Sequence, residues 1–297
     1  MKYAIVVDSS CGVTKEQAEK LGWHFLPLHI IIDGIDYADG VNINSEILFE
    51  KFNLKSDIKT SMYGLQDIYD TFEKLSLEND MVFVYPISQF LSNSCATATI
   101  IQKEFPKVKV IQSKQVDALI LLDIVWFDYM MKKDPSNYEE YVKKLEIPFI
   151  KNSTTLIPKY NKYLVKGGRL NSATAAIARL LKIVPLIKWE DGKLIKEAIG
   201  KNFLKSALNN IRQKAENIED IPGTKKIAIL LKTGNKKEEY DEFMSELNKY
   251  SSSFKFFERP LAPVIMIHTG PEAYCLITAN YPAEAYEYLV RVMNSLK

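Results

Sequence analysis

Tyr3-Ala4-Ile5-Val6-Val7-Asp8-Ser9-Ser10-Cys11-Gly12-Val13-Thr14-Lys15-Glu16-Gln17 opens the chain with the pattern that decides its fold. The apolar run Tyr3–Val7, rich in β-branched residues, reads as a strand. A polar break follows at Asp8-Ser9-Ser10. Thr14 and Gln17 then have the spacing of a capping box, in which each side chain satisfies the other residue's backbone N–H. The short helix begun there closes at Gly22. Strand, polar loop and helix in this order form the first half of a parallel crossover unit.

The pattern repeats outward. Trp23–Ile32 is a second apolar run, after which Asp33-Gly34 turns the chain. Met81–Ile87 and Val108–Gln112 are strand-like, and helical patterns cover Gly64–Leu77, Ser92–Phe105 and Gln115–Met131. The last is apolar nearly all round and therefore predicts a buried helix. Together these predict an α/β fold whose N-terminal domain is a three-layer α/β/α sandwich on a parallel sheet. The second half differs. After Ile147-Pro148 and Asn152-Ser153 come helical stretches to Gly167-Gly168 and over Ser172–Leu181, then Ile183–Trp189 and Lys193–Ile199 joined by Asp191-Gly192, which reads as a β-hairpin. A long helix over Phe203–Asn217, a strand over Lys226–Lys232 and a helix over Lys236–Tyr250 follow. Strands around Phe254–Glu258, Val264–His268 and Tyr274–Thr278 precede a helix from Pro282. The expected division is 1–152 and 153–297, the second part a mixed α/β domain.

With 47% hydrophobic and 26% charged residues, the chain lies close to the globular average, which excludes disordered and disulfide-scaffold classes. The formal charge of +2 is too small for a surface devoted to neutralising phosphate, so no nucleic-acid partner is expected. The basic clusters Lys162–Arg169 and Lys201–Arg212 lack stacking aromatics and read as solvated faces, or as surfaces for transient contact with a membrane or an acidic partner. Cys11, Cys95 and Cys275 sit at no metal-ligand spacing, which suits a reducing compartment. The first apolar run stops at Asp8 without a cleavage region, and Ala118–Met131 is interrupted by Asp123 and Asp128. A cytoplasmic location is expected.

In an open parallel sheet, ligands sit beyond the carboxyl ends of the strands. Four polar places are therefore candidates: Asp8-Ser9-Ser10, Thr60-Ser61, the serines Ser88, Ser92 and Ser94, and His268-Thr269-Gly270-Pro271. Singly they read as caps, turns and a structural histidine. Jointly they offer the hydroxyls, amides and imidazole that suit a small anionic head group. Phosphate loops, dinucleotide fingerprints, nucleophile elbows and zinc-helix motifs are all missing from the sequence. No metal, cofactor or catalytic residue is expected. A Ser/His hydrolase built from Ser9 or Ser61 with His268 and Asp8 is the remote alternative.

Several of these motifs, in order, resemble the DegV family of bacterial lipid-binding proteins, which includes the fatty-acid-binding subunit of bacterial fatty acid kinase. The matching stretches are Val7–Ser10, Leu26-Pro27-Leu28, Asp33-Gly34, Tyr37–Gly40, Lys59-Thr60-Ser61, Ile87-Ser88 with Leu91-Ser92, Leu164–Leu170, Leu181–Leu186 and His268–Pro271. The resemblance implies a non-enzymatic protein that encloses one long-chain fatty acid between two domains, for lipid transport or fatty acid metabolism. The carboxylate would meet Thr60, Ser61, Ser92, Asn93, Ser94 and His268, with support from Lys201, Asn202 and Gly270. It also implies, as an alternative, that the chain presents the acid to a separate ATP-dependent kinase subunit.

The departures from the family pattern are Met62-Tyr63-Gly64 for Gln-Pro-Ser, Ser92-Asn93-Ser94 for Ser-Gly-Thr, Gly270-Pro271-Glu272 for Gly-Pro-Gly, and Asn202 where an arginine is common. Asn lacks the bidentate cationic fork of Arg. The acyl chain contributes more than the head group: at ~0.8 kcal/mol per methylene, a sixteen-carbon tail gives roughly 12 kcal/mol of gross transfer energy. Binding is expected to survive the loss of the arginine, and phosphoryl transfer to depend on it.

Overall fold

The computed structural model describes residues 1–51, 53, 55–169 and 183–296. The helical stretch expected at Ser172–Leu181 lies outside the described residues. The fold is α/β, and the chain forms two compact units: Met1–Phe149 with Ala262–Val264 and Tyr288–Lys297, and Ile150–Leu261 with Ile265–Glu287.

In the first unit, β1 (Tyr3–Asp8), β2 (His24–Leu26), β6 (Met81–Tyr85) and β7 (Val108–Val110) form a parallel sheet in the order β2-β1-β6-β7. All but the first residue of β1 and of β6 is buried, as expected where helices cover both faces of a parallel sheet. The capping box forms as the sequence predicts: Thr14 Oγ1 accepts from Gln17 N–H and Gln17 Oε1 accepts from Thr14 N–H, opening α1 (Lys15–Lys20). Short α2 (Leu48–Lys51) and the longer α3 (Leu65–Glu78), α4 (Ser94–Ile101), α5 (Ala118–Lys133) and α6 (Tyr138–Glu146) complete the layers. α5 is buried over nearly its whole length, and Asp117 caps it by accepting from Ala118 N–H.

The run Trp23–Ile32 divides at Pro27 into β2 and β3 (His29–Ile32), which join different sheets. Proline has no N–H to carry a ladder through that point. β3 pairs antiparallel with β4 (Ile35–Ala38) and β5 (Ile58–Ser61). The β3–β4 turn is Asp33-Gly34, with φ of 51° and 85°, the positive values that type I′ hairpins require.

The second unit is a six-stranded mixed sheet in the order β10-β9-β8-β13-β11-β12. Its strands are β8 (Asn152–Pro158), β9 (Val184–Glu190), β10 (Lys193–Gly200), β11 (Thr224–Lys232), β12 (Lys255–Pro260) and β13 (Ala273–Pro282). The hairpin is β9–β10, turning on Asp191-Gly192 with φ of 47° and 81°. α7 (Asn161–Gly167) follows β8, and α8 (Phe203–Asn217) and α9 (Lys237–Asn248) cover the core around Ile157, Phe203, Ile211, Leu230, Phe243 and Tyr274.

Two expectations change. Val264–His268 is not a strand but part of α10 (Pro263–Thr269). Its β-branched run reads as strand locally. Pro263 at the first helical position and Gly270 at φ 81° set the opposite boundaries, those of a helix. The final helix, α11 (Tyr286–Ser295), packs in the first unit from Tyr288 onward, whereas the sequence division counts it with the second. Its buried stripe is Leu289, Val292 and Met293, and Tyr288 OH donates to Asp128 on α5. Among the described residues no helix is long and apolar enough to cross a membrane.

Candidate functional site

The strand order places the topological switch of the first unit between β1 and β6: the chain continues from β1 to β2 on one side and from β6 to β7 on the other. Val7 faces Tyr85 across the ladder, so the polar residues after both strands emerge side by side. Asp8 joins the two ends. Its Oδ2 accepts from Ile87 N–H at 2.7 Å, and its Oδ1 accepts from Ser10 N–H at 3.0 Å and from the Ser10 hydroxyl. Ser9 Oγ accepts from Leu28 N–H, tying the same loop to the approach to β3.

Of the expected head-group residues, Ser92 and Ser94 are brought together, their hydroxyls 2.8 Å apart, and Ser92 Oγ accepts from Ser94 N–H at the start of α4. Asn93 is the exposed N-cap residue and makes no side-chain cap bond. Thr60 and Ser61 end β5, Thr60 half-buried and Ser61 exposed. The link from β5 to α4 is made by the residues that depart from the family pattern. Tyr63 OH donates to Ser94 O at 3.1 Å, and Met62 Sδ accepts from Thr97 Oγ1.

Asp8 has buried acidic company that sequence spacing does not reveal. Asp39 and Asp117 of the same unit are buried as well. Asp39 Oδ2 accepts from Val264 N–H at 3.2 Å and Asp117 Oδ2 accepts from Ala262 N–H at 2.8 Å. Burial pushes the Asp8 carboxyl up to about 6 and the Asp39 carboxyl up to about 8, the latter with further help from the neighbouring Asp8 and Asp117 charges. Among the described residues, no cluster has the makings of a metal site.

In the second unit, His268 lies in the last turn of α10 against Gly167, the last residue of α7. A Cβ at Gly167 would stand 2.6 Å from His268 Nδ1, so this approach requires glycine. A Cβ at Gly270 would likewise stand 2.3 Å from Cδ2 of the Tyr163 ring. Burial, reinforced by the Arg169 guanidinium, drives the imidazole down to about 3. His268 is therefore neutral at physiological pH and offers one ring N–H and one ring acceptor rather than a charge. Arg169, which the sequence pattern assigns to a solvated face, folds back to donate to Gly167 O at 2.7 Å. Its neighbour in space, His268, is almost a hundred residues away, which hides the pair from any local motif. Lys201 is exposed between β10 and α8. Asn202 caps α8, its Oδ1 accepting from Lys205 N–H at 2.9 Å.

Residues 2–280 match the model of the DegV family, described as uncharacterised proteins. The chain belongs to the DegV family. A DegV domain-containing protein of Mycoplasmopsis pulmonis is 33% identical over 291 residues, 98% of this chain and 99% of its own length. Among solved structures, a stearic-acid-binding protein from Eubacterium ventriosum superimposes with a TM-score of 0.78 at 26% identity, covering 96% of this chain and 99% of that one. A Thermotoga maritima protein whose structure revealed fatty acid binding gives 0.76 at 25% identity, with 94% and 99% covered. Both superpositions show that the α/β fold of this chain is shared over nearly its whole length.

Proposed function

We propose that this DegV protein binds a long-chain fatty acid without transforming it, as a carrier in lipid transport or fatty acid metabolism. The observation that carries the reading is its likeness, over almost the whole chain, to the stearic-acid-binding protein. The chemistry of the candidate residues supports it. A carboxylate needs donors, and the hydroxyls of Thr60, Ser61, Ser92 and Ser94, the Asn93 amide and one ring N–H of neutral His268 are donors. Lys201, Asn202 and Gly270 belong to the same proposal as supporting residues. Arg169, beside His268, supplies the positive charge that Asn202 does not.

Asn202 also bears on the kinase alternative. Its side-chain oxygen serves as the cap of α8, which favours binding over presentation of the acid for phosphorylation by a separate subunit. Organic extraction of natively purified protein followed by mass spectrometry should yield a stoichiometric long-chain acyl lipid, and delipidated protein should bind oleate saturably. Absence of both overturns the reading. Thr60→Val and His268→Ala should each weaken oleate binding while leaving the protein folded; unchanged affinity in both removes those residues from the site.

A further inference from the structure

The second unit contains a polar cavity lined by none of the residues assigned to the fatty acid. It lies where β8 begins and β13 ends, under the C-terminal half of α8, with a volume of about 170 Å³. Two charged groups of opposite sign face it. Lys214, in the last turn of α8, is only 6% exposed, and its Nζ donates to Ser153 Oγ at 2.6 Å. Glu197 arrives by a β-bulge. Lys196 pairs with Ile187 and Ala198 with Leu186, which leaves Glu197 as the extra residue of β10. Bulges re-aim side chains. Here the carboxylate is turned to accept from Thr155 Oγ1 at 2.6 Å.

The surroundings are arranged for hydrogen bonding. Asn210 donates to Thr155 Oγ1 and accepts from Tyr274 OH, while Thr278 and Asn280 line the wall. The Lys151–Glu219 ion pair stands at the rim, where both side chains are exposed. Among the described residues no ion pair joins Lys214 to Glu197 or to any other carboxylate. A buried ammonium without a carboxylate partner costs stability, and burial lowers Lys214 to about 8. Replacing a buried charge with an apolar side chain of similar volume is often neutral or stabilising, so the cation here is not explained by packing.

A cation and an anion that face one small cavity without closing on each other complement a molecule carrying both charges. We propose that this cavity binds a small zwitterion of the α-amino acid type, its carboxylate toward Lys214 and Ser153 and its ammonium toward Glu197. A volume of about 170 Å³ suits a ligand with a short side chain.

The test is a titration of the ¹⁵N-labelled full chain with L-serine, with acetate and methylammonium as single-charge probes. L-serine should shift the amides of Ser153, Asn210, Thr278 and Asn280 saturably. Each single-charge probe, and L-serine on Glu197→Gln or Lys214→Met, should bind at least about tenfold more weakly. Glu197 is exposed, so Glu197→Gln tests the site even where Lys214→Met alters folding. No shift with L-serine up to about 10 mM, unchanged affinity in Glu197→Gln, or acetate binding as tightly as L-serine overturns the proposal.

Discussion

Beyond the ends of β1 and β6 the first unit has buried carboxyl groups, Asp8, Asp39 and Asp117, whereas the second has a desolvated imidazole, His268, and a buried ammonium, Lys214. Burial moves the two sets in opposite directions. Asp8 and Asp39 rise to about 6 and about 8, while His268 and Lys214 fall to about 3 and about 8. Each shift favours the neutral form, because removing a charge from water is costlier than removing its uncharged counterpart. For these four groups the cost of burying a charge acts the same way on either sign. His268 and Asp39 are both uncharged near neutral pH, one deprotonated and the other protonated.

The most disruptive way to probe the basic region is Gly270→Ala. The added methyl would meet the Tyr163 ring at 2.3 Å on a residue whose φ is 81°, so close packing and backbone are both violated. A loss of about 3 kcal/mol is expected in urea unfolding. Lys214→Met should act the other way, stabilising the protein by about 2 kcal/mol at neutral pH by removing a buried ammonium. The sign with pH follows from a native value near 8 against an ordinary 10.5: between them the unfolded chain binds more protons, so wild-type stability rises with pH through this window. The advantage of Lys214→Met should therefore shrink from pH 8 to pH 10, measured by thermal unfolding.

Asp39 sharpens the acidic side of the comparison. Its native value near 8 lies above its ordinary 3.8, so in that interval the folded protein holds a proton the unfolded chain has lost. Its contribution to stability is complete below about pH 4 and is lost as pH rises toward 8, with a slope of up to ~1.4 kcal/mol per pH unit. Asp39→Asn should remove this component, flattening the dependence of urea midpoints between pH 5 and pH 7. A smaller effect is expected from Asn202→Ala, about 1 kcal/mol of destabilisation through the lost cap of α8.

Local signals are readable where neighbours in sequence decide the structure. Tyr3–Val7 with the Thr14/Gln17 box announces β1 and α1, and Asp191-Gly192 announces the β9–β10 hairpin. The fold class follows from repeats of such signals, and the family resemblance from motifs in the same loops. Val264–His268 misleads because its β-branched residues favour a strand when taken alone, while the burial of a short helix decides otherwise. Arg169 beside His268, Asp39 holding Val264 N–H, and the bulge at Glu197 depend on register and on long-range closure, which no spacing in the sequence encodes.

Glu272 stands at φ 56°, where its family pattern has glycine, and its carboxylate is held by Lys159 and Tyr160 OH. The strain of a left-handed residue is thus offset by an ion pair that glycine could not make.

The assignment of Ala262–Val264 and Tyr288–Lys297 to the first unit has a consequence for biosynthesis. Most of that unit leaves the ribosome early, but Asp128 must wait for Tyr288, and Asp39 and Asp117 for the amides of Val264 and Ala262. Domains generally fold as units during synthesis, N-terminal first. Here the first unit emerges early and is completed last, so the nascent chain carries an unfinished N-terminal body through translation of the entire second unit.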